Sequence, residues 1–259
     1  MITAGIDVGA KNLKVVLLKD NNVIGKSTVL MEMDRKKSIN EGLDACLADA
    51  GIRKEDVDYF VATGAGEKSV NFAQKGITTV TCDAKGVTAL NPSVRTVIDI
   101  GANEARAIKC DGAGKVTDFA VNEKCAAGSG AFVEAMARAM EVPLEEFVEL
   151  SLKSEKSTPI NAQCAIFAES EVVSLVHEET DRNDICRAVH DAMAGRIASM
   201  AKRVRIEEAV AVIGGVAYNK GMLASLKREL NVDFFIADDP EYVGAFGAAL
   251  LGAEMVNQN

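Results

Sequence analysis

The chain has 259 residues, 48% of them hydrophobic, which is enough for one large domain or two lobes around a packed core. Its formal net charge of -9 and its sequence pI of about 4.9 argue against binding to a nucleic-acid backbone. It has neither a basic segment followed by an apolar core near its beginning nor an apolar run long enough for a membrane span, so we expect a cytoplasmic protein that binds neither nucleic acid nor membrane.

The first part of the chain has the pattern of a β-hairpin followed by alternating helix and strand. Strands are predicted at residues 2–8, 13–18 and 23–29, with a tight turn at residues 9–12. Ser38 and Glu41 match a capping box, which predicts a helix that begins at Ser38 and ends at Gly51. The next predicted strand, residues 57–62, ends in the glycine-rich turn Thr63–Glu67, where a ligand can approach the backbone closely.

The hairpin pattern then recurs. Residues 98–102 repeat residues 6–10, and at the same offset Arg106 takes the position of Lys14. Each copy is predicted to be a strand, a tight turn and a second strand, with an aspartate at the end of its first strand. The duplication predicts two related lobes that face each other.

The second half of the chain is predicted to be mainly helical. Helical periodicity predicts helices at about 130–140, 143–150 and 165–177, and a long helix that Asn183 or Asp184 caps. A strand at 210–213 precedes Gly214-Gly215, and Asn219 is placed to cap a helix that ends near residue 230. A last strand at 232–236 precedes a terminal helix with a face of small residues at 244–249.

Two of the six cysteines, Cys125 and Cys164, lie just before helical segments. A thiolate at a helix N-terminus is stabilised by free backbone N–H groups and by the helix dipole, which suits it to bind a metal. Two thiolates are half of those that a [4Fe-4S] cluster takes, so a twofold dimer could share one cluster. The alternative is that both are buried packing residues, which is our interpretation of the other four, Cys46, Cys82, Cys110 and Cys186.

Asp7 and Asp99 lie at strand ends beside glycine turns, where carboxylates could hold the magnesium of a nucleoside triphosphate through water. Lys14 is a candidate cation for the phosphates. Each aspartate alone would more simply be a turn residue, and the duplication is what favours a nucleotide site. Gly214-Gly215 leaves space for a base or ribose, although a tight strand-to-helix turn is an alternative. The chain has neither a P-loop nor a GxGxxG turn after a strand.

The remaining polar residues in the helical half give weaker signals. His177 and His190 have no His, Cys or Asp at metal-ligand spacing, so both are interpreted as ordinary helix residues. Glu169 and Glu171 are interpreted as a solvated helix face, unless Glu169 points toward the nucleotide.

Residues 5–9 with Lys14, 98–101, 213–217 and 243–249 resemble the phosphate, adenosine and connecting motifs of the acetate and sugar kinase, Hsp70 and actin superfamily. Within it, residues 124–130 and 163–171 resemble the BadF/BadG/BcrA/BcrD ATPase family, which includes the activators of 2-hydroxyacyl-CoA dehydratases and the ATPase subunits of benzoyl-CoA reductase. The resemblance extends over almost the whole chain.

The resemblance implies an α/β, two-lobed, actin-like (ribonuclease H-like) ATPase fold with duplicated mixed-sheet domains. Its first lobe would comprise residues 1–92 and 242–259, and its second residues 93–241. Cys125 and Cys164 of two chains would bind one [4Fe-4S] cluster, and Asp7 and Asp99 would hold Mg²⁺ through water while ATP is hydrolysed to ADP. A ferredoxin or flavodoxin type donor would reduce the cluster, which would pass one low-potential electron to a CoA-ester dehydratase or reductase.

The resemblance also assigns roles around the nucleotide, with one departure. Activators usually continue with Gly-Gln-Asp after the second glycine turn, whereas this chain has Ala102-Asn103-Glu104, so Asn103 takes the catalytic position of the water-orienting glutamine and predicts slow hydrolysis. Variation here is similar to the benzoyl-CoA reductase subunits, which leaves open a heterodimer with a paralogous ATPase subunit besides a homodimer. A small-molecule kinase and a non-hydrolysing nucleotide sensor are further alternatives. The residues expected to contact the nucleotide are Gly9, Ala10, Lys11, Lys14, Gly101, Ala102, Gly214, Gly215, Val216 and Asn219.

Overall fold

The computed structural model describes residues 1–122, 128–156, 158–160 and 164–258. Backbone contacts divide the chain into two compact units. The first unit comprises residues 1–97, 108–118 and 237–259, and the second comprises residues 98–107 and 119–236. The lobe boundaries expected from the sequence remain a prediction.

Ten strands in the described part of the chain form two five-stranded sheets. In chain order they are β1 (Ile2–Val8), β2 (Asn12–Lys19), β3 (Asn22–Leu30), β4 (Tyr59–Thr63), β5 (Lys75–Gly76), β6 (Thr96–Ile100), β7 (Ala105–Cys110), β8 (Val116–Asn122), β9 (Val210–Ile213) and β10 (Phe234–Phe235). The first sheet has the order β3-β2-β1-β4-β5, and the second has the order β8-β7-β6-β9-β10. The two sheets therefore repeat one connectivity, and the duplication extends beyond the hairpin seen in the sequence.

Eight α-helices in the same residues accompany the sheets. They are α1 (Arg35–Ala50), α2 (Thr79–Leu90), α3 (Gly130–Ala139), α4 (Leu144–Lys153), α5 (Ala165–His177), α6 (Arg182–Arg203), α7 (Lys220–Leu230) and α8 (Val243–Asn257). None of these helices combines the length and the apolar character that a membrane crossing requires.

The starts of two helices differ from the sequence prediction, because an aspartate earlier in the chain caps each helix. Asp34, not Ser38, caps α1, since its side chain accepts a hydrogen bond from the N–H of Lys37 at 3.1 Å. Ser38 is fully buried and accepts from the N–H of Glu32. Asp181 caps α6, whereas Asn183 or Asp184 was predicted. The predicted end of α1 is confirmed, because Gly51 has a φ of 65°.

The pairing of β1 determines which residues lie together at one end of the first sheet. β1 runs antiparallel to β2 and parallel to β4, and this register sets Asp7 opposite Lys14 on one side and Thr63 on the other. Buried apolar residues of β1, β2 and β4 pack against α1, so the strand ends are held by a rigid core. Carboxyl ends of parallel strands are where open α/β sheets bind ligands.

The terminal helix α8 packs against β1 and α2 at short range within the first unit. A Cβ atom at Gly5 of β1 would lie 2.7 Å from the backbone nitrogen of Ala249, and one at Gly247 would lie 2.8 Å from that of Gly86 in α2. Glycine and alanine therefore let these backbones approach, as the small-residue face of the helix predicted.

Candidate nucleotide site

In the first unit, Asp7 is held between a cation and a glycine. Lys14 Nζ lies 3.0 Å from Asp7 Oδ2, and Asp7 is only 9% exposed. On the other side, Gly64 has a φ of 89°, and a Cβ there would lie 2.5 Å from Asp7 Oδ1 and from the carbonyl oxygen of Val8. A side chain at position 64 would collide with the carboxylate, so glycine is required on both steric and conformational grounds.

In the second unit, Asp99 has the same surroundings. Arg106 Nη1 lies 2.5 Å from Asp99 Oδ2, and Arg106 also pairs with Glu104. Gly214 has a φ of 84°, and a Cβ there would lie 2.5 Å from Asp99 Oδ1 and from the carbonyl oxygen of Ile100. Each unit thus places a buried carboxylate between a cation on one neighbouring strand (β2 or β7) and a glycine with positive φ after the other neighbouring strand (β4 or β9).

The two hairpin turns also match in their backbone hydrogen bonds. The N–H of Gly9 donates to the carbonyl of Asn12 at 3.2 Å, and the N–H of Gly101 donates to the carbonyl of Glu104 at 2.8 Å. The first turn carries Ala10 and Lys11, which are exposed, and the second carries Ala102, which is half-buried, and Asn103, which is exposed. Both turns therefore present accessible backbone next to their aspartate, as a phosphate-binding turn requires. Nucleotide contact by these residues remains a prediction.

The sequence pattern identifies Gly214 but not its equivalent, Gly64. The turn at residues 63–67 was noted only as a place where a ligand could approach. Once the two hairpins are matched, the other sheet neighbour of each aspartate strand, β4 or β9, leads to the equivalent glycine. Arg106 was likewise noted only as the counterpart of Lys14, yet it forms the equivalent ion pair.

The carboxylates can serve a hydrated metal ion. A buried carboxylate is stable when it is paired and hydrogen-bonded. In both Asp7 and Asp99, Oδ2 forms the ion pair with the cation, while Oδ1 faces the glycine. Within the described residues, no three His, Cys, Asp or Glu side chains cluster as a metal site. A metal held by either aspartate would thus complete its shell with water and phosphate oxygens, which is the usual coordination of Mg²⁺.

The start of α3 is hydrogen-bonded to the turn of the second hairpin. The N–H groups of Gly130 and Ala131 donate to the carbonyls of Gly101 and Ala102 at 2.9 and 2.8 Å. A Cβ at Gly130 would lie 3.0 Å from Val216 Cγ2, so this first helical turn touches both glycine turns of the second unit. Residues 123–127, which include Cys125, lie outside the described residues, so the expectation for Cys125 is not addressed by the structure.

Cys164 differs from the other cysteines that the structure describes. It precedes α5 as the N-cap residue and is partly exposed, whereas Cys46, Cys82, Cys110 and Cys186 are buried, as predicted. Burial raises the pKa of the Cys46 and Cys186 thiols to about 12 and that of Cys110 to about 11, and it raises the pKa of Cys82 as well. These four thiols are therefore protonated packing groups at neutral pH.

The helix that follows Cys164 exposes apolar side chains. Ile166 is 72% and Phe167 is 68% exposed, and Val173 and Val176 of the same helix are also exposed. Glu169 is exposed on this helix, in agreement with the solvated-face interpretation. Neighbouring exposed apolar side chains such as Ile166 and Phe167 are a feature of surfaces that contact other proteins.

Asn219 caps α7, as predicted from the sequence. Its Oδ1 accepts a hydrogen bond from the N–H of Met222 at 2.9 Å, and its Nδ2 lies 3.0 Å from Nε2 of His190. The side chain is thus engaged within the protein. Residue spacing alone indicates an ordinary helix residue at His190 and does not reveal this contact.

Comparison with known proteins gives matches over nearly the whole chain. A model of the BadF/BadG/BcrA/BcrD ATPase family matches residues 4–252. The chain is 40% identical over 254 residues to the activator of lactoyl-CoA dehydratase from Anaerotignum propionicum, a match that covers 98% of each chain. It is 35% identical over 263 residues to a benzoyl-CoA reductase subunit from Thauera aromatica, a match that covers 97% of this chain and 93% of the relative.

A solved structure is also similar over the whole chain. The activator of the 2-hydroxyisocaproyl-CoA dehydratase from Clostridium difficile, with bound ADPNP, has a TM-score of 0.93 and 34% identity, over 100% of this chain and 96% of that chain. The α/β actin-like fold with duplicated mixed sheets that the sequence implied is confirmed.

Proposed function

Since the chain belongs to the BadF/BadG/BcrA/BcrD ATPase family, as its sequence resemblance implied, we propose that it is an ATP-hydrolysing activator that passes one low-potential electron to a partner enzyme acting on an acyl-CoA thioester. The observation that carries the proposal is the duplicated turn, in which each unit sets a buried, paired carboxylate against a left-handed glycine. Relatives named as dehydratase activators match almost the whole chain, which supports proposing the same activity for this chain.

The residues that would bind the nucleotide lie in and beside the hairpin turns. Asp7 and Asp99 would hold Mg²⁺ through water, and Lys14 would contact the phosphates. The turn residues Gly9, Ala10, Lys11, Gly101 and Ala102 would approach the phosphates with their backbone, and Gly214, Gly215 and Val216 would contact the adenosine. Asn103 would orient the attacking water, and its side chain is exposed in the second turn.

The electron-transfer role requires a cluster, and the part of the site that the structure describes fits one. Cys164 is partly exposed and begins a helix of 13 residues, where backbone N–H groups and the helix dipole favour a thiolate. Cys125 and Cys164 of two chains would hold a [4Fe-4S] cluster, which when bound supplies a one-electron redox centre. The exposed Ile166 and Phe167 next to Cys164 support a protein contact at this position. A dimer, a ferredoxin or flavodoxin type donor and a cytoplasmic location complete the proposal.

A subunit of a heteromeric benzoyl-CoA reductase is the second candidate. Two observations favour it, namely the 35% identity to the benzoyl-CoA reductase subunit of Thauera aromatica and the presence of Asn103 in place of the expected glutamine. It predicts slow ATP turnover by the isolated chain and stable association with a paralogous ATPase subunit. The activator proposal predicts a homodimer that turns over ATP unaided.

Anaerobic purification followed by iron, sulfide and electron paramagnetic resonance assays tests the cluster. We expect one [4Fe-4S] cluster per two chains, and its loss in Cys125→Ala and in Cys164→Ala. Cys110→Ala is the matched control, because this thiol is buried and protonated, and we expect it to keep the cluster. Failure to bind a cluster after reconstitution, or an intact cluster in Cys164→Ala, contradicts the proposal. Phosphoryl transfer to an added small molecule would instead identify a kinase of this fold.

A further inference from the structure

His190 is a fully buried histidine in the middle of α6. Its ring lies edge-on to Phe147 of α4, with a centroid distance of 5.5 Å. On the side of α7, a Cβ at Gly221 would lie 2.9 Å from its Cε1, so glycine at this position lets the first turn of α7 approach the ring. An apolar side chain would fill this space without the cost of burying an imidazole, so packing alone does not explain a histidine here.

The hydrogen bonds around Asn219 determine the tautomer of His190. The N–H of Met222 can only donate, so Asn219 must present Oδ1 to it and Nδ2 to His190. Nε2 of His190 therefore accepts a hydrogen bond and carries no proton, and the neutral ring has its proton on Nδ1. Burial lowers the pKa of His190 to about 4, which keeps the ring neutral at physiological pH.

Asn219 in turn connects this histidine to the second glycine turn. Residues Gly215–Tyr218 form a short 3-10 helix after Gly214, and the N–H of Asn219 closes it by donating to the carbonyl of Val216 at 2.9 Å. The carbonyl of Asn219 accepts from the N–H of Leu223 in α7 at 3.0 Å. The position of Asn219 thus fixes where the 3-10 helix ends and where α7 begins.

We propose that His190 is a positioning residue for nucleotide binding, which holds the Asn219 amide and thereby sets the turn Gly214-Gly215-Val216 against the adenosine. The inference rests on the proposed function, because it assumes that this turn contacts the nucleotide. His190 itself touches no ligand. Its effect on affinity comes from preorganising backbone that would otherwise have to be ordered when the nucleotide binds.

Two variants separate positioning from packing. His190→Met removes the acceptor for the Asn219 amide and keeps the volume similar. His190→Gln keeps an acceptor oxygen near the Nε2 position. His177→Gln is the matched control, because His177 is exposed and lies on α5.

Nucleotide affinity, kinetics and thermal unfolding of the three variants test the inference. We expect His190→Met to raise the KM for ATP and the Kd for ADP about three- to tenfold, which corresponds to one lost hydrogen bond, with kcat nearly unchanged. His190→Gln should restore most of the affinity, and His177→Gln should match the wild type. A merely structural role predicts lower thermal stability with unchanged KM.

Long-range ¹H–¹⁵N spectra of the imidazoles provide a readout that is independent of activity. The chain has only two histidines, so both rings can be assigned with His177→Gln. We expect the Nδ1-protonated tautomer for His190. An Nε2-protonated ring, or equal nucleotide affinity in wild type and His190→Met, overturns the inference and leaves the proposed function intact. A wild-type protein that binds no nucleotide overturns both.

Discussion

The two aspartate turns share their architecture and differ in the chemistry of their cations. Lys14 offers Asp7 a compact charge on a flexible stem, whereas Arg106 offers Asp99 a planar guanidinium that also bonds Glu104. The bonds of Arg106 hold both ends of its turn in one geometry. The lysine can change partner without breaking a planar fork, so the proposed phosphate contact of Lys14 predicts a first turn that responds to the nucleotide and a second turn that stays fixed.

The largest expected effect is on ATP turnover when either carboxylate is neutralised. Asp7→Asn and Asp99→Asn should each lower kcat on the order of a hundredfold or more, because in their proposed role both aspartates would stabilise charge around the transferred phosphoryl group through Mg²⁺. Steady-state phosphate release by the purified variants measures this. A variant of either aspartate with wild-type turnover would break the functional equivalence of the two turns.

The next effect is on stability and concerns the two left-handed glycines. Gly64→Ala and Gly214→Ala should each lower the free energy of unfolding by about 2 kcal/mol or more, since a Cβ would meet an aspartate oxygen and a carbonyl in a strained conformation. Denaturant titration measures the change.

Gly195→Ala is the control for these glycines. Gly195 lies in the interior of α6, and a Cβ at this position would have no neighbour within 4 Å, so the substitution should stabilise the protein by about 0.5–1 kcal/mol. Unequal losses in the two turn variants would show that the second turn is not a structural copy of the first.

The difference between the two cations predicts a smaller effect. Arg106→Lys should lower the free energy of unfolding by about 1 kcal/mol, because a lysine cannot bond Asp99 and Glu104 in the same fork. Lys14→Arg should leave stability nearly unchanged and raise the KM for ATP. If the two substitutions exchanged these outcomes, the assignment of a fixed second turn and a responsive first turn would be wrong.

The smallest effect concerns Asn103 of the second hairpin turn, where the family resemblance leads us to expect a glutamine. Asn103→Gln should raise kcat by up to about tenfold, since in the proposed role of residue 103 the longer amide would reach further toward the attacking water. Asn103 is exposed, so the stability of the protein should not change. Unchanged turnover with a normal KM would show that the shorter amide does not limit hydrolysis.

Features that depend on local pattern could be predicted from the sequence. The hairpin repeat identified Asp7 and Asp99, the apolar runs located most strands, and Asn219 was recognised as a cap. The family resemblance and the actin-like fold are confirmed by the comparisons and the sheet order.

Features that depend on contacts between residues distant in the sequence could not be predicted. The cap of α1 was misplaced because Ser38 and Asp34 both have suitable side chains, and only the fold buries the serine. The pairing of Gly64 with Asp7 depends on which strand lies parallel to β1. The role of His190 depends on the packing of α6 against α7, which no spacing in the sequence reveals.

The most direct test of the account is a double-mutant cycle on ATP turnover with Asp7→Asn, Asp99→Asn and the combined variant. If both aspartates act in the same hydrolysis step, as proposed, the combined variant should be scarcely slower than the slower single variant, because residues that act as a unit are strongly non-additive. Multiplied losses in the combined variant would show that the two carboxylates act independently and would contradict the account.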